Sequence, residues 1–237
     1  MTITKKDVEL FQDSIESIVD IDKVELPEAF YYGEIALCII DAVYSIGIRY
    51  NAVINVINNF KNHVADATPQ KDVNEYYTDD LIDFYKSNML DFEKIAVNIF
   101  NNRCRTSSRN GILKAQAVYK VAKVLQKYNL QKKSDMKLVQ GDEAFENDIK
   151  EIEGQRSGVM LKYLYMLAGD ENYIKPDRHV LNFIEESIGR QVTHDDAQKL
   201  IEKYIEVKRV DNPKMNCRLV DNIIWEYMRS RKASSKA

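Results

Sequence analysis

Helix breakers are scarce in this chain, with 8 glycines and 4 prolines among 237 residues. Sandwiches and α/β sheets use many of both in their turns, so the shortage favours an all-α fold, and no strictly alternating strand pattern stands out. Cysteine is sparse too. Cys38, Cys104 and Cys217 lie too far apart for zinc or iron–sulfur spacing, and an odd number argues against a disulfide framework, which leaves buried or incidental thiols. No apolar run is long enough to span a bilayer. The N-terminus, MTITKKDVELFQDSIESIVD, carries acids inside its apolar pattern, unlike a signal or transit peptide. A cytoplasmic protein without membrane partners is expected, nucleoid-associated if bacterial.

What is present suffices for a large core: 45% of residues are hydrophobic. The formal net charge of −3 argues at first against a nucleic-acid partner, but its distribution does not. Ten basic residues face a single acid, Asp135, between Arg103 and Lys137, and the tail adds Arg229, Arg231, Lys232 and Lys236. The rest of the chain is therefore strongly acidic. A concentrated basic face on an acidic protein can bind phosphates while limiting non-specific adhesion; a solvated lysine-rich helix face is the plainer reading.

Apolar periodicity predicts helices joined by short loops. Residues 4–20 form one, and residues 28–62 form two, starting at Leu26-Pro27-Glu28 and broken at Ser45-Ile46-Gly47 near Arg49 and Tyr50. "NHVADATPQKD" reads as a polar loop, and residues 74–101 as a helix or helix pair. After the basic "NRCRTSSRNG", Ile112, Ala115, Val118, Tyr119, Ala122 and Leu125 share one face of a helix whose lysines line the other. Thr193 and Asp196 read as a capping pair before Ala197, Leu200, Ile201, Tyr204 and Ile205, and Leu219, Ile223 and Tyr227 mark a closing helix. Tyr31, Tyr32, Tyr44, Tyr50, Tyr163, Tyr165 and Trp225 include potential base-stacking residues, although aromatics at helical spacing more often build core. His63, His179 and His194 show no metal-ligand spacing.

Residues 149–167 raise the sharpest question. Ile149–Glu153 ends one helix, Gly154–Gly158 is a turn, and Val159–Leu167 is the next helix. Such a hairpin can converge backbone N–H groups on one phosphate, and glycine allows both the close approach and a positive φ. Ser157 can add a hydroxyl, and Lys150, Arg156 and Lys162 can add charge. A plain αα-corner fits the same spacing. Downstream, Ile174-Lys175-Pro176-Asp177-Arg178-His179 puts a carboxylate at the start of a helix built on Val180, Leu181, Ile184 and Ile188, where the dipole keeps it ionised. Asp177 is either an N-cap or a charge aimed at a cationic transition state.

"IEGQRSGVMLKYLYMLAGDENYIKPDRHVLNFIEESIG" resembles the helix-hairpin-helix superfamily of base-excision DNA glycosylases. "GILKAQAVYKVAKVL" is similar to the helix preceding the hairpin there, and "FYYGEIALCIIDAVYSIGIRYNAVINVI" to its early helix pair. The resemblance implies a single domain over 1–237 with a cleft between two lobes. One lobe spans about 28–130; the other joins 1–27 with 131–237 and contains the hairpin. Double-stranded DNA would bind a monomer across the cleft, contacted by Gly154, Gln155, Arg156, Ser157, Gly158, Lys162, His179, Arg49, Tyr50, Arg103, Arg105, Arg109 and Lys114. Arg49 or Tyr50 would fill the gap left by the flipped nucleotide, and Asp177 would be the catalytic carboxylate. Members that cut the strand carry a lysine where Gly158 stands, so a monofunctional enzyme is implied; Lys162 and Lys175 are alternative amines. No cofactor is expected beyond, at most, a monovalent cation at the hairpin. The sequence departs from the family's Pro-Gly-x-Gly turn with Glu153-Gly154-Gln155-Arg156, and lacks its glutamine motif after Ser45 and its four-cysteine cluster. A DNA-binding module without catalysis and a helical protein-interaction domain are the competing readings.

Overall fold

The computed structural model describes residues 2–20, 24 and 32–234, with side chains to residue 231. Among these residues every regular element is helical, and the sole extended pairing is an isolated bridge between Arg105 and Leu113. No helix among them is long and apolar enough to cross a membrane. Backbone contacts divide the chain into a terminal unit, Met1–Phe30 with Asp170–Ala237, and a central unit, Tyr31–Gly169.

The terminal unit begins with α1 (Lys5–Ile18), closed at its N-terminus by reciprocal Thr4 and Asp7 hydrogen bonds. The central unit holds α2 (Ile35–Tyr44), α3 (Tyr50–Ala67), α4 (Thr78–Ser87), α5 (Phe92–Lys94, running into a wider turn over Ile95–Ile99), α6 (Lys114–Lys127), α7 (Glu143–Lys150) and α8 (Val159–Leu167). The chain then returns to the terminal unit as α9 (Arg178–Ile188), α10 (His194–Lys208) and α11 (Cys217–Ser234).

α2 is buried along its whole length, which explains its near-continuous apolar sequence, and it packs against α3, α4, α6 and α8. α8 is apolar for the same reason, with only Lys162 half-exposed. The α2–α8 contact assigns residues 131–169, hairpin included, to the central unit, whereas the sequence reading grouped them with the termini. In the terminal unit, Phe11 of α1 meets Phe183 of α9 edge-on at 6.0 Å and Tyr204 of α10 at 5.3 Å. Arg190 reaches Asp7 at 2.8 Å, pinning α1 to the end of α9.

The break after α2 falls where expected: Ser45 closes the helix and Gly47 takes a φ of +74°. The expected start at Pro27-Glu28 lies outside the described residues, as does Tyr31, and the described helix begins at Ile35. One loop is shorter than expected, because His63–Ala67 continue α3 while Val64 stays buried one turn after Phe60.

Candidate functional site

α7 is capped by Asp142, which accepts from the Ala144 and Phe145 N–H groups, and it anchors through buried Phe145 and Ile149. The turn that follows is held by Gln155 N–H to the Ile152 carbonyl (2.9 Å) and Gly158 N–H to the Gln155 carbonyl (3.0 Å). Gly154 has a φ of +87°, and a Cβ there would lie 2.5 Å from the Thr106 Cβ, so both conformation and packing demand glycine. Gly158, with a φ of +73°, is the N-cap of α8.

Of the turn side chains, Arg156 and Ser157 are exposed, whereas Gln155 is buried at 3% exposure. The Gln155 side chain turns inward as part of the packing, which leaves only its backbone for the expected DNA contact. Among the described residues, no backbone acceptor takes the N–H of Arg156 or Ser157. Glu153 is drawn to Lys120 of α6 at 2.5 Å, and that ammonium lowers its carboxyl below the ordinary range. Lys150 pairs with Glu146, and Lys162 is half-buried one turn into α8.

Beside the turn runs the basic loop. The Thr106 N–H donates to the Ile112 carbonyl and the Lys114 N–H to that of Cys104, both at 2.9 Å. Gly111 permits the closure, since a Cβ would meet Ser107 backbone atoms at 2.4 Å. Contact between Thr106 and Gly154 brings this loop to the hairpin. Arg109 is exposed, Arg105 is exposed with its guanidinium donating to the Gly111 carbonyl at 2.8 Å, and Arg103 pairs with Glu93 at 3.3 Å. Lys127 is engaged with Asp148 at 2.5 Å, so part of the basic strip is neutralised locally.

Lys114, expected at the DNA, is 2% exposed. Its ammonium donates to the carbonyls of Val43 (3.1 Å), Tyr44 (3.0 Å) and Ile46 (2.5 Å). This corrects the expectation: helix C-termini attract cations, and Lys114 closes the open end of α2 instead of facing solvent. Arg49, the N-cap of α3, is exposed, and Tyr50 is half-buried.

A second polar cluster escaped the sequence reading. Asp41, buried at 1% exposure in α2, accepts from the hydroxyls of Tyr32 (2.9 Å), Tyr163 of α8 (3.3 Å) and Ser45. Burial, then the Asp41 charge, pushes the Tyr163 hydroxyl well above its ordinary value. An acid inside IALCIIDAVY was the available signal. Of the other aromatics considered for stacking, Tyr44 and Tyr165 are core, and half-buried Trp225 lies against Arg229.

Asp177, in the terminal unit, is the N-cap of α9 and half-buried; one carboxylate oxygen accepts from the N–H groups of His179 (2.7 Å) and Val180 (3.3 Å). The loop before it is tied down at successive points. The Ile174 N–H donates to Gln198 Oε1 (3.1 Å) and the Lys175 N–H to Asp221 Oδ1 (2.8 Å). The Asp177 N–H returns to the Lys175 carbonyl at 2.6 Å. Asp221 of α11 is buried, and burial first, then the Asp177 charge, pushes its carboxyl up to about 7. No group of three His, Cys, Asp or Glu side chains placed for a metal ion occurs among the described residues.

No curated protein and no solved structure matches the chain. One family model does, over residues 10–229, so that both the hairpin and the Asp177 loop fall inside it; the chain belongs to the family described as "Domain of unknown function (DUF8548)".

Proposed function

We propose that this protein is a monofunctional DNA glycosylase of the helix-hairpin-helix type, acting as a monomer on double-stranded DNA. The observation that carries the reading is the turn at the start of α8. Two N–H groups, at Arg156 and Ser157, that no backbone carbonyl of the described residues takes, sit with an exposed guanidinium beside a loop bearing Arg105 and Arg109. That combination of oriented amides, a helix N-terminus and positive charge suits a backbone phosphate, and the same turn can hold a monovalent cation bridging to it. Pairing with Lys120 removes the objection that Glu153 would repel DNA.

In this reading the base leaves C1′ with the electron pair of the glycosidic bond and acquires a proton. The sugar becomes oxocarbenium-like, and the Asp177 carboxylate stabilises it. Water then adds its oxygen to C1′ and yields a proton to Asp177, leaving an abasic site and a free base. The N–H donors of His179 and Val180 hold Asp177 in one orientation. Gly158, at the position that aligns with the lyase lysine, supplies no amine.

The same two hydrogen bonds favour a second reading, a hairpin DNA-binding protein in which Asp177 is only a cap. Abasic-site formation on duplexes carrying alkylated, oxidised, deaminated and hypermodified bases separates the two, with Asp177→Asn as the control because asparagine caps about as well. Activity confined to the wild type supports the enzyme. Salt-dependent binding by both proteins, without activity in either, supports the binding module. Arg156→Glu with Lys162→Glu abolishes binding if the hairpin is the interface; unchanged binding removes the assignment.

A further inference from the structure

We propose that Asp221 is the positioning residue for Asp177: its carboxyl clamps the loop before α9 through the Lys175 N–H, and its proton decides whether the pair of aspartates carries one negative charge or two. The catalytic half of this inference rests on the glycosylase reading; the pairing does not.

The clamp follows from hydrogen-bond geometry. Asp221 Oδ1 holds the Lys175 N–H at 2.8 Å, and two residues on, the Asp177 N–H is bound to the carbonyl of that same Lys175 at 2.6 Å. Asp177 is thus locked to a tight turn whose fixed point is a side chain of another helix. An asparagine or glutamine at position 221 would serve a clamp alone, and neutral Gln198 does that at Ile174. Burying an ionisable acid beside a second acid adds something an amide does not, because two carboxylates in a poorly solvated site do not ionise independently.

Asp177 is half-exposed and accepts from two N–H groups, whereas Asp221 is buried. Asp221 keeps its proton until near neutrality, its carboxyl pushed up to about 7 by burial and then by the Asp177 charge. Against these act the Lys175 N–H and the positive charges of Lys175 and, from its own helix, Arg218. Cys217, the other titratable neighbour on α11, stays a neutral thiol, pushed up to about 12 by burial and then by Glu202 of α10. Deprotonation of Asp221 adds a second negative charge, which deepens the potential felt by a cationic sugar.

The test uses the full chain. Single-turnover base release is followed from pH 5.5 to 8.5 in wild type, Asp221→Asn and Asp221→Ala. Wild type should accelerate several-fold through neutrality. Asp221→Asn, which keeps the acceptor for Lys175 and loses the titration, should give a flat profile over this range. Asp221→Ala, lacking the clamp too, should be flat and slower by roughly tenfold or more. A wild-type profile in Asp221→Asn overturns the proposal. Carboxyl ¹³C titration in wild type and Asp177→Asn reads the pair without any activity: the Asp221 midpoint should fall by about one unit when its neighbour loses charge, and equal midpoints overturn the pairing. If wild type releases no base from any duplex, the glycosylase reading and the catalytic half fall together, and the titration alone decides the pair.

Discussion

Replacing Lys114 with methionine tests the central unit most directly, because burial and the basic-strip pattern predict opposite results. Methionine preserves most of the side-chain volume and removes only the ammonium. That ammonium donates to the carbonyls of Val43, Tyr44 and Ile46 at 3.1, 3.0 and 2.5 Å. Hydrogen bonds from a charged donor contribute about 1.5–3 kcal/mol each, so the gross interaction is on the order of 4–9 kcal/mol. Desolvating the ammonium offsets several kcal/mol of this, while stranding buried carbonyls restores part of the loss. A net destabilisation of about 3 kcal/mol is expected. Urea unfolding at neutral pH, followed by circular dichroism, measures it; the single tryptophan, Trp225, lies in the terminal unit and reports on that unit instead. A loss below about 1 kcal/mol would refute the burial argument. A variant of unchanged stability with a DNA salt slope reduced by about one would instead restore Lys114 as a phosphate contact.

Three further substitutions probe the packing inside each unit. Asp7 is held down to about 2, chiefly by its hydrogen bond to Arg190, against an ordinary carboxylate value of 3.8. Its stabilisation is complete above 3.8 and disappears as pH falls through about 2, so Asp7→Asn should cost about 1–2 kcal/mol at neutral pH and flatten acid unfolding between those values; tryptophan-detected acid titration of both proteins checks this. Gly154→Ala and Gly141→Ala both force alanine into a positive φ, but only Gly154 has Thr106 in the way at 2.5 Å. The Gly141 variant should lose about 1 kcal/mol and the Gly154 variant at least 2 kcal/mol more, with equal losses arguing against the Thr106 contact.

Much of the helical order was legible because its signals are local. The break at Ser45-Ile46-Gly47, the caps at Asp177 and Thr193, and the glycines bracketing the hairpin each depend on a few neighbouring residues, and all stand where the pattern put them. Lys114 misled because it occupies a lysine position of an amphipathic helix, yet its partner is the end of a helix some seventy residues earlier. Asp41 and Asp221 were passed over as single acids in apolar surroundings, and only tertiary packing supplies the hydroxyls of Tyr32 and Tyr163 or the Lys175 N–H that justify them. The unit boundary was missed for a related reason: hydrophobicity all round α2 and α8 says that both are buried, and not that they are buried against each other.

The departures of residues 153–156 from the pattern of the superfamily they resemble look like losses in the sequence and like exchanges in three dimensions. Glutamate in place of proline at 153 brings a negative charge to the turn, and Lys120 takes it up from α6. Arg156, standing where the second glycine is expected, cannot have a glycine's freedom, but its N–H and that of Ser157 are left without backbone acceptors among the described residues, and its side chain is exposed. Gln155 turns inward and Thr106 packs on Gly154, so the turn is braced by a neighbouring loop instead of by its own proline. That loop carries Arg105 and Arg109. The element that stiffens the hairpin therefore also brings positive charge to it, and a turn altered at two of its three specified positions keeps the two properties that the proposed phosphate contact requires, fixed amides and a cationic surround.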